Sequence, residues 1–321
     1  MSQTGNAATA AAQTMTAGGH FDVMARKGYF FGLSGILFVA AIIVLVWRGF
    51  NYGIDFTGGT LLERSFPQPV TVSELRTELS RGELAHLGLA NAQIQLSTNG
   101  KNAIIRAKEL STDDIQKIDA ALKARFGAVT DVRTEVIGPV VGSELLRMTY
   151  WSIFLGALGI LLYISLRFEY RFATAGVIAL LHDAVITMGI VALVQREINM
   201  PFVAAMLTIL GYSINDTIVV FDRIRERLRL HTGESPAQVA NVAILQTMNR
   251  SVNTSLTTLL AIAALYYLGG PTIKDFSLAL LVGVIFGTYS SIFIASPIWV
   301  IWREWSERRR RGRSGRQVQA A

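Results

Sequence analysis

Asp216 and Arg250 are the side chains in this 321-residue chain whose types and spacing could do chemistry. Asp216 stands in an otherwise apolar run, residues 198–221, long enough to cross a membrane. A carboxylate there costs roughly 2.5–3.5 kcal/mol on insertion scales, so something must offset it. Arg250 immediately precedes the next apolar run. Asp216 lies six residues before Asp222, about 9 Å inside one end of its span. If the following helix begins near Ala243 or Ile244, Arg250 lies about 9 Å inside its own. The two spans run antiparallel, so the charges can share one depth. Arg250, Asn253, Thr254 and Thr257 fall on one helical face, as do Thr208, Tyr212, Asn215 and Asp216. Polar faces between membrane helices normally turn inward, toward one another. A carboxylate with such a counter-charge can carry a proton. Ionised beside the cation, it takes a proton when the two separate and desolvation dominates. A static ion pair that sets helix register is the alternative. His182-Asp183, deep in the preceding span, can extend a proton path or form a satisfied polar cluster. Asn215, Asn253 and Thr254 would give polar support.

The elements that position these residues follow from composition. Hydrophobic residues make up 51% of the chain and charged ones 17%, below the roughly 25% of a soluble domain. Six apolar runs read as transmembrane helices, at residues 28–47, 148–166, 172–195, 198–221, 251–273 and 276–302. Residues 1–27 form a tail whose first 20 residues have a disordered composition, 222–250 a loop, and 304–321 a basic tail. There are no cysteines and only four scattered histidines, so neither a metal nor a cofactor is expected. The net charge of +7 comes from arginines beside the apolar runs, which points to membrane orientation and lipid rather than nucleic acid. Arg26/Lys27, Arg167/Arg171, Arg223–Arg229 and Arg308–Arg311 all fall on one side. The positive-inside rule then puts both termini in the cytoplasm and residues 48–147 outside. Those residues read as β-α-β-β-α-β, the ferredoxin-like order. The strands are 60–66, 92–97, 102–107 and 129–137. Helices follow Pro69 and Ser111/Thr112, and the hairpin turns at Asn99-Gly100.

Three glycine motifs stand out. Gly53-Ile-Asp55-Phe56-Thr-Gly58-Gly59-Thr60 follows the first span and suits a tight exit into the first strand. Gly138-Pro139-Val-Val-Gly142 precedes the second span and can act as a hinge. Gly283-x-x-x-Gly287 makes a small-residue face for helix packing, inside the chain or against a partner.

Together with Gly211–Arg223 and Asn249–Ser255, the first two motifs resemble the SecF family of protein-export subunits, in the RND superfamily. The resemblance runs from about residue 24 to 302. It implies a polytopic RND-type half, a translocase subunit rather than an enzyme, in the bacterial inner membrane. It also implies a SecD partner supplying six more spans, association with the SecYEG channel and YajC, and preprotein in the periplasm. The family uses the proton-motive force after the SecA motor has acted, and its proton-path Asp and Arg fall on Asp216 and Arg250. The competing reading is an RND-type exporter half for small hydrophobic molecules, against which the outer domain is small. An intramembrane aspartyl protease using Asp183 and Asp216 needs Gly-x-Gly-Asp, where this chain has Ser213-Ile-Asn-Asp216.

Overall fold

The computed structural model describes residues 22–319 apart from 98, 231 and 232. The tail expected over residues 1–20 lies outside the described residues, as do the side chains of Arg310 and Arg311. Among the described residues, six helical segments are long and apolar enough to cross a membrane. They are α1 (Lys27–Arg48), α5 (Pro139–Arg167), α6 (Tyr170–Leu193), α7 (Met200–Leu230), α8 (Pro236–Leu268) and a last one formed by α9 and α10. α9 (Pro271–Ser290) passes into α10 (Ser296–Gln319) through a π-helical turn, Ser291–Ala295. Half or more of the apolar stretch is buried in α6, α7 and the α9–α10 segment, against under a fifth in α1, α5 and α8. The first three form the centre of the bundle. The other three turn large apolar residues outward, among them Trp47, Leu166 and Leu268. A face that apolar is stable only against lipid or another apolar chain.

The largest departures from the expected helix boundaries are extensions. The second span begins at Pro139 rather than near Met148, because Pro at the first helical position starts the helix inside the motif. Residues 222–250 are mostly helix rather than loop. α7 carries its charged stretch to Leu230, and α8 starts at Pro236 behind a Ser235–Gln238 capping box. Asp216 and Arg250 therefore each lie fourteen residues, about 21 Å, from those helix ends rather than 9 Å.

Between α1 and α5 lies a four-stranded antiparallel sheet of order β3-β4-β2-β5, the ferredoxin-like arrangement. Its strands are β2 (Gly59–Ser65), β3 (Gln93–Leu96), β4 (Asn102–Ala107) and β5 (Thr130–Ile137). Helices α3 (Val72–Leu79) and α4 (Thr112–Phe126) cover one face. Each starts at a capping box, Thr71–Glu74 and Ser111–Asp114. Leu62, Ile105, Leu75, Leu79, Ile118 and Leu122 form the core between the layers. Arg64, fully buried, ties sheet to helix with two hydrogen bonds to Asp119 at 2.6 and 3.1 Å and one to Asp131 at 2.7 Å. A second, two-stranded pairing joins the exit of α1 to the loop between α6 and α7: β1 (Asn51–Tyr52) runs parallel to β6 (Glu197–Ile198).

Candidate functional site

The middle of the bundle holds two buried carboxylates, each gripped by serines from two other segments. On α7, Asp216 accepts a hydrogen bond from Ser251 of α8 at 2.5 Å on Oδ1. Its Oδ2 accepts one from Ser291 of the π turn, also at 2.5 Å. On α6, Asp183 accepts from Ser213 of α7 and Ser290 of α9 on Oδ2, both at 2.6 Å. Its Oδ1 lies 2.9 Å from His182 Nδ1. His182 stacks on Phe38 of α1. Tyr212, Ser255 and Thr288 continue the seam across α7, α8 and α9. Hydroxyls supply the hydrogen bonds that an ionised carboxylate needs in a medium without water. Gly283 and Gly287 make the approach close enough. A Cβ on Gly283 would meet Ile209 at 2.4 Å, and one on Gly287 would meet Ser213 at 3.0 Å. These glycines pack inside the chain, against α7.

The faces expected to meet do not. Arg250, Asn253, Thr254 and Thr257 are exposed on α8, and no ion pair joins Arg250 to Asp216. The buried row of α8 is Thr247, Ser251, Ser255 and Ile262. One residue turns a helix by about 100°, so Ser251 takes the place beside Asp216 and Arg250 faces outward. On α7, Asn215 and Thr208 are likewise exposed while Asp216 is buried. Sequence reasoning did not give Ser213, Ser251, Ser290 or Ser291 as partners of the carboxylates, and placed Ser291 only on the small-residue face of Gly283 and Gly287. The i, i+4 pair Ser251/Ser255 and the doublet Ser290-Ser291 were the available signals.

At one end of the bundle the first two glycine motifs become one junction. Gly53 starts a single helical turn, α2 (Ile54–Thr57), and sits so close to Glu197 that a Cβ would lie 2.6 Å from its carboxylate. Asp55 accepts the backbone N–H of Met200 at 2.7 Å and so caps α7 from 145 residues away. Asn199 adds a second cap, to the Phe202 N–H at 3.0 Å. Phe56 is buried in an apolar cluster that also takes residues from α6, α7, α8 and α9. Gly58 and Gly59 have φ of +70° and +128°. A Cβ on Gly58 would meet Pro139 Cα at 2.9 Å, and one on Gly142 would meet the Gly58 nitrogen at 2.9 Å. Gly138, by contrast, has φ −66° and open space around it. Pro139 and Gly142 thus pack against Gly58, while Gly138 before them is free of close contact. Across the junction, Arg106 of β4 pairs with Glu197, and Arg196 pairs with Asp275 at 3.2 Å. Burial pushes the Glu197 carboxyl above its usual range, more than Arg106 pulls it down. Among the described residues, no group of three or more His, Asp and Glu converges as a metal site would.

The family model for the C-terminal region of the protein export membrane proteins SecD and SecF matches residues 117–305, and that for the SecD/SecF GG motif matches residues 43–63. Protein translocase subunit SecF of Sebaldella termitidis is 40% identical over 277 residues, covering 86% of this chain and 90% of that one. The chain belongs to the SecF family. SecF of Escherichia coli O157:H7 is 37% identical over 284 residues, with 86% of each chain covered. Among solved structures, the crystal structure of SecDF from Thermus thermophilus, described as a translocon-associated membrane protein, superposes with a TM-score of 0.81 at 37% identity. That match covers 89% of this chain and 39% of the SecDF chain. This chain therefore spans about two-fifths of SecDF. The paired glycines that give the GG motif its name correspond here to Gly58-Gly59, the left-handed pair at the junction.

Proposed function

We propose that this chain works as the SecF subunit of the Sec protein-export translocase, and that protonation of Asp216 lets a proton gradient promote preprotein movement. Asp216 carries the reading. It is an ionisable group in the bundle interior, held by hydroxyls that suit either protonation state, on a helix whose far end is bonded to the outer domain. A transmembrane potential supplies ~2.3 kcal/mol per charge per 100 mV, enough to bias two packings of such a bundle. Neutralising Asp216 turns charge-assisted serine contacts into weaker neutral ones, and the segments that bear them can then shift. Arg250 serves the same path from the outward face of α8, where a SecD-type partner brings six further spans and a carboxylate of its own. In this reading both termini lie in the cytoplasm and the ferredoxin-like domain in the periplasm, in the bacterial inner membrane, an orientation that the arginine-rich loops support. SecYEG and YajC complete the assembly, and the basic tail meets anionic lipid.

The test is preprotein translocation into energised vesicles carrying the complete complex. Asp216→Asn and Arg250→Met should each abolish the stimulation by a proton gradient while assembly with the partner survives. Normal stimulation in both variants would sink the proton role.

A further inference from the structure

We propose that Asp183 is a second proton-exchanging carboxylate, coupled to Asp216 through the hydroxyl pair Ser290 and Ser291. The proposal rests on the reading that Asp216 takes up a proton and extends it to a group that reading does not use.

The two carboxylates are built alike. Each accepts from one serine on a neighbouring helix and one from the same backbone turn, Ser290 for Asp183 and Ser291 for Asp216. Each of these last two serines has a second acceptor already in reach. Ser291 Oγ lies 2.9 Å from the Thr288 carbonyl, and Ser290 Oγ lies 3.2 Å from the Gly287 carbonyl. A serine hydroxyl has one proton to give. While the carboxylate is ionised, the serine donates to it. Once the carboxyl holds a proton on the facing oxygen, its O–H donates to the serine oxygen and the serine proton turns to the carbonyl three residues back. No heavy atom need be created or lost, and the charge balance is that of one proton bound. Because the two serines are neighbours on one turn, a change at either carboxylate is felt by the backbone that positions the other.

That turn is also the place where α-helical bonding gives way to the π turn, Ser291–Ala295, and where Ser296 Oγ donates to the Ser291 carbonyl at 3.1 Å. Such π turns occur mostly as single-turn insertions, frequently at functional sites. A second observation points to Asp183 itself. His182 Nε2 and Thr187 Oγ1 are buried without a hydrogen-bond partner, and both belong to the helix that carries Asp183. Thr187 stands one turn on along the same face. Buried polar atoms without a partner are uncommon, and two of those among the described residues stand on the helix of Asp183 within a turn of it. The titratable groups around Asp183 are few. His182 is on α6 itself, Asp216 is on α7, and α9 brings Tyr289, whose hydroxyl donates to the Phe30 carbonyl of α1 at 3.1 Å. From α1, Phe38 faces His182.

Infrared difference spectroscopy of the intact complex in vesicles, stepped in pH, reads protonated carboxyls directly. In the wild type two buried carboxyl bands should appear with acidification. Asp216→Asn should remove one and leave the other. Asp183→Asn should remove the second and move the Asp216 midpoint by about one pH unit, the scale on which paired acids titrate as a unit. Ser290→Ala, which keeps both carboxylates, should also move the Asp216 midpoint, and Ser290→Thr should restore it. If Asp183→Asn does not assemble, Ser290→Ala reads the same coupling. A single band that Asp216→Asn abolishes overturns the role of Asp183. Two bands with the Asp216 midpoint unmoved in both Asp183→Asn and Ser290→Ala overturn the coupling. No band assignable to Asp216 would instead refute the function proposed above.

Discussion

Gly59→Ala should loosen the outer domain, and Gly138→Ala should not, although both glycines sit in the same junction. At Gly59 φ is +128°, a region open essentially to glycine and costing another residue about 1–3 kcal/mol. The new Cβ would also lie 2.5 Å from the Ala107 carbonyl oxygen. Ala107 pairs with Thr60, the next residue, so the β2–β4 ladder must open at its end to relieve the overlap. Losing one backbone hydrogen bond adds about 1 kcal/mol. The sum is about 2–4 kcal/mol. Gly138 has φ −66° and nothing within 4 Å of a Cβ. Alanine there gains a few tenths of a kcal/mol from a stiffer unfolded chain and loses a similar amount as an N-cap, leaving a net change under about 0.5 kcal/mol. Hydrogen-exchange mass spectrometry of the intact complex measures the local opening. Peptides from β2 and β4 should exchange roughly 30- to 700-fold faster in Gly59→Ala, at tenfold per 1.4 kcal/mol. They should stay within about threefold of wild type in Gly138→Ala. Equal exchange in the two variants would refute the steric account of the GG motif.

Glu197 should make the junction pH-dependent. Its carboxyl is raised in the folded protein by burial, with Asp275 and Asp55 adding to the rise and Arg106 opposing it. A raised group contributes stability below its unfolded value, about 4.3, and loses that contribution as pH rises through the folded value. Thermal midpoints of wild type should therefore fall relative to Glu197→Gln as pH climbs from about 4. Arg106→Ala should steepen that fall and cost about 3 kcal/mol or more at neutral pH, because it strands a buried carboxylate. A flat difference between wild type and Glu197→Gln would count against the burial. Gly283→Val should push α9 off Ile209 and cost about 1–3 kcal/mol, with Ile209→Ala in the same chain restoring most of it; no restoration in a melting assay would mean the glycine face serves another contact.

Local signals carried the outer domain and the count of helices. Thr71, Ser111 and Ser235 each cap a helix through hydrogen bonds made within three residues, so sequence reading has everything it needs at those points. Ser235-Pro236 carries the same signal at the true start of α8, and the reading of residues 222–250 as a loop did not use it. Charge describes where a helix leaves the membrane, not where it ends. The site was legible in one half only. A lone carboxylate in an apolar run announces itself by its cost, which exposed Asp183 and Asp216. Serines in such runs cost little and their spacing names no partner, so the residues that hold the carboxylates emerged only when α7, α8 and the π turn were packed together. The outward turn of Arg250 has the same origin, since helical spacing fixes which residues share a face but not which way the face points. Asp55 is the extreme case. Its partner is a backbone N–H 145 residues away, and no feature of Gly53–Thr60 names it.

Two separate grips join the outer domain to the bundle, and their separation constrains how motion at Asp216 can reach it. Asp55 and the Arg106–Glu197 pair hold the start of α7, while Gly58 abuts Pro139 and Gly142 at the start of α5. From Met200 to Asp216, α7 is continuous helix with no proline beyond its first turn, so an axial shift at the carboxylate arrives undiminished about 24 Å away. A domain held at two points tilts when one moves relative to the other, and stays still when the two move together. Tying α5 to α7 should therefore uncouple the domain from protonation without touching either carboxylate. Gly156 and Leu207 mark the place, since a Cβ on Gly156 would lie 3.0 Å from Leu207 Cδ2. The chain has no cysteine, so Gly156→Cys with Leu207→Cys gives a unique thiol pair within it. Bridged by a short cleavable bis-thiol reagent, the complex should keep its basal, motor-driven translocation, lose the stimulation by a proton gradient, and recover it on cleavage. Stimulation that survives the bridge would mean that α5 and α7 move as one body, and that the domain takes its motion from another helix.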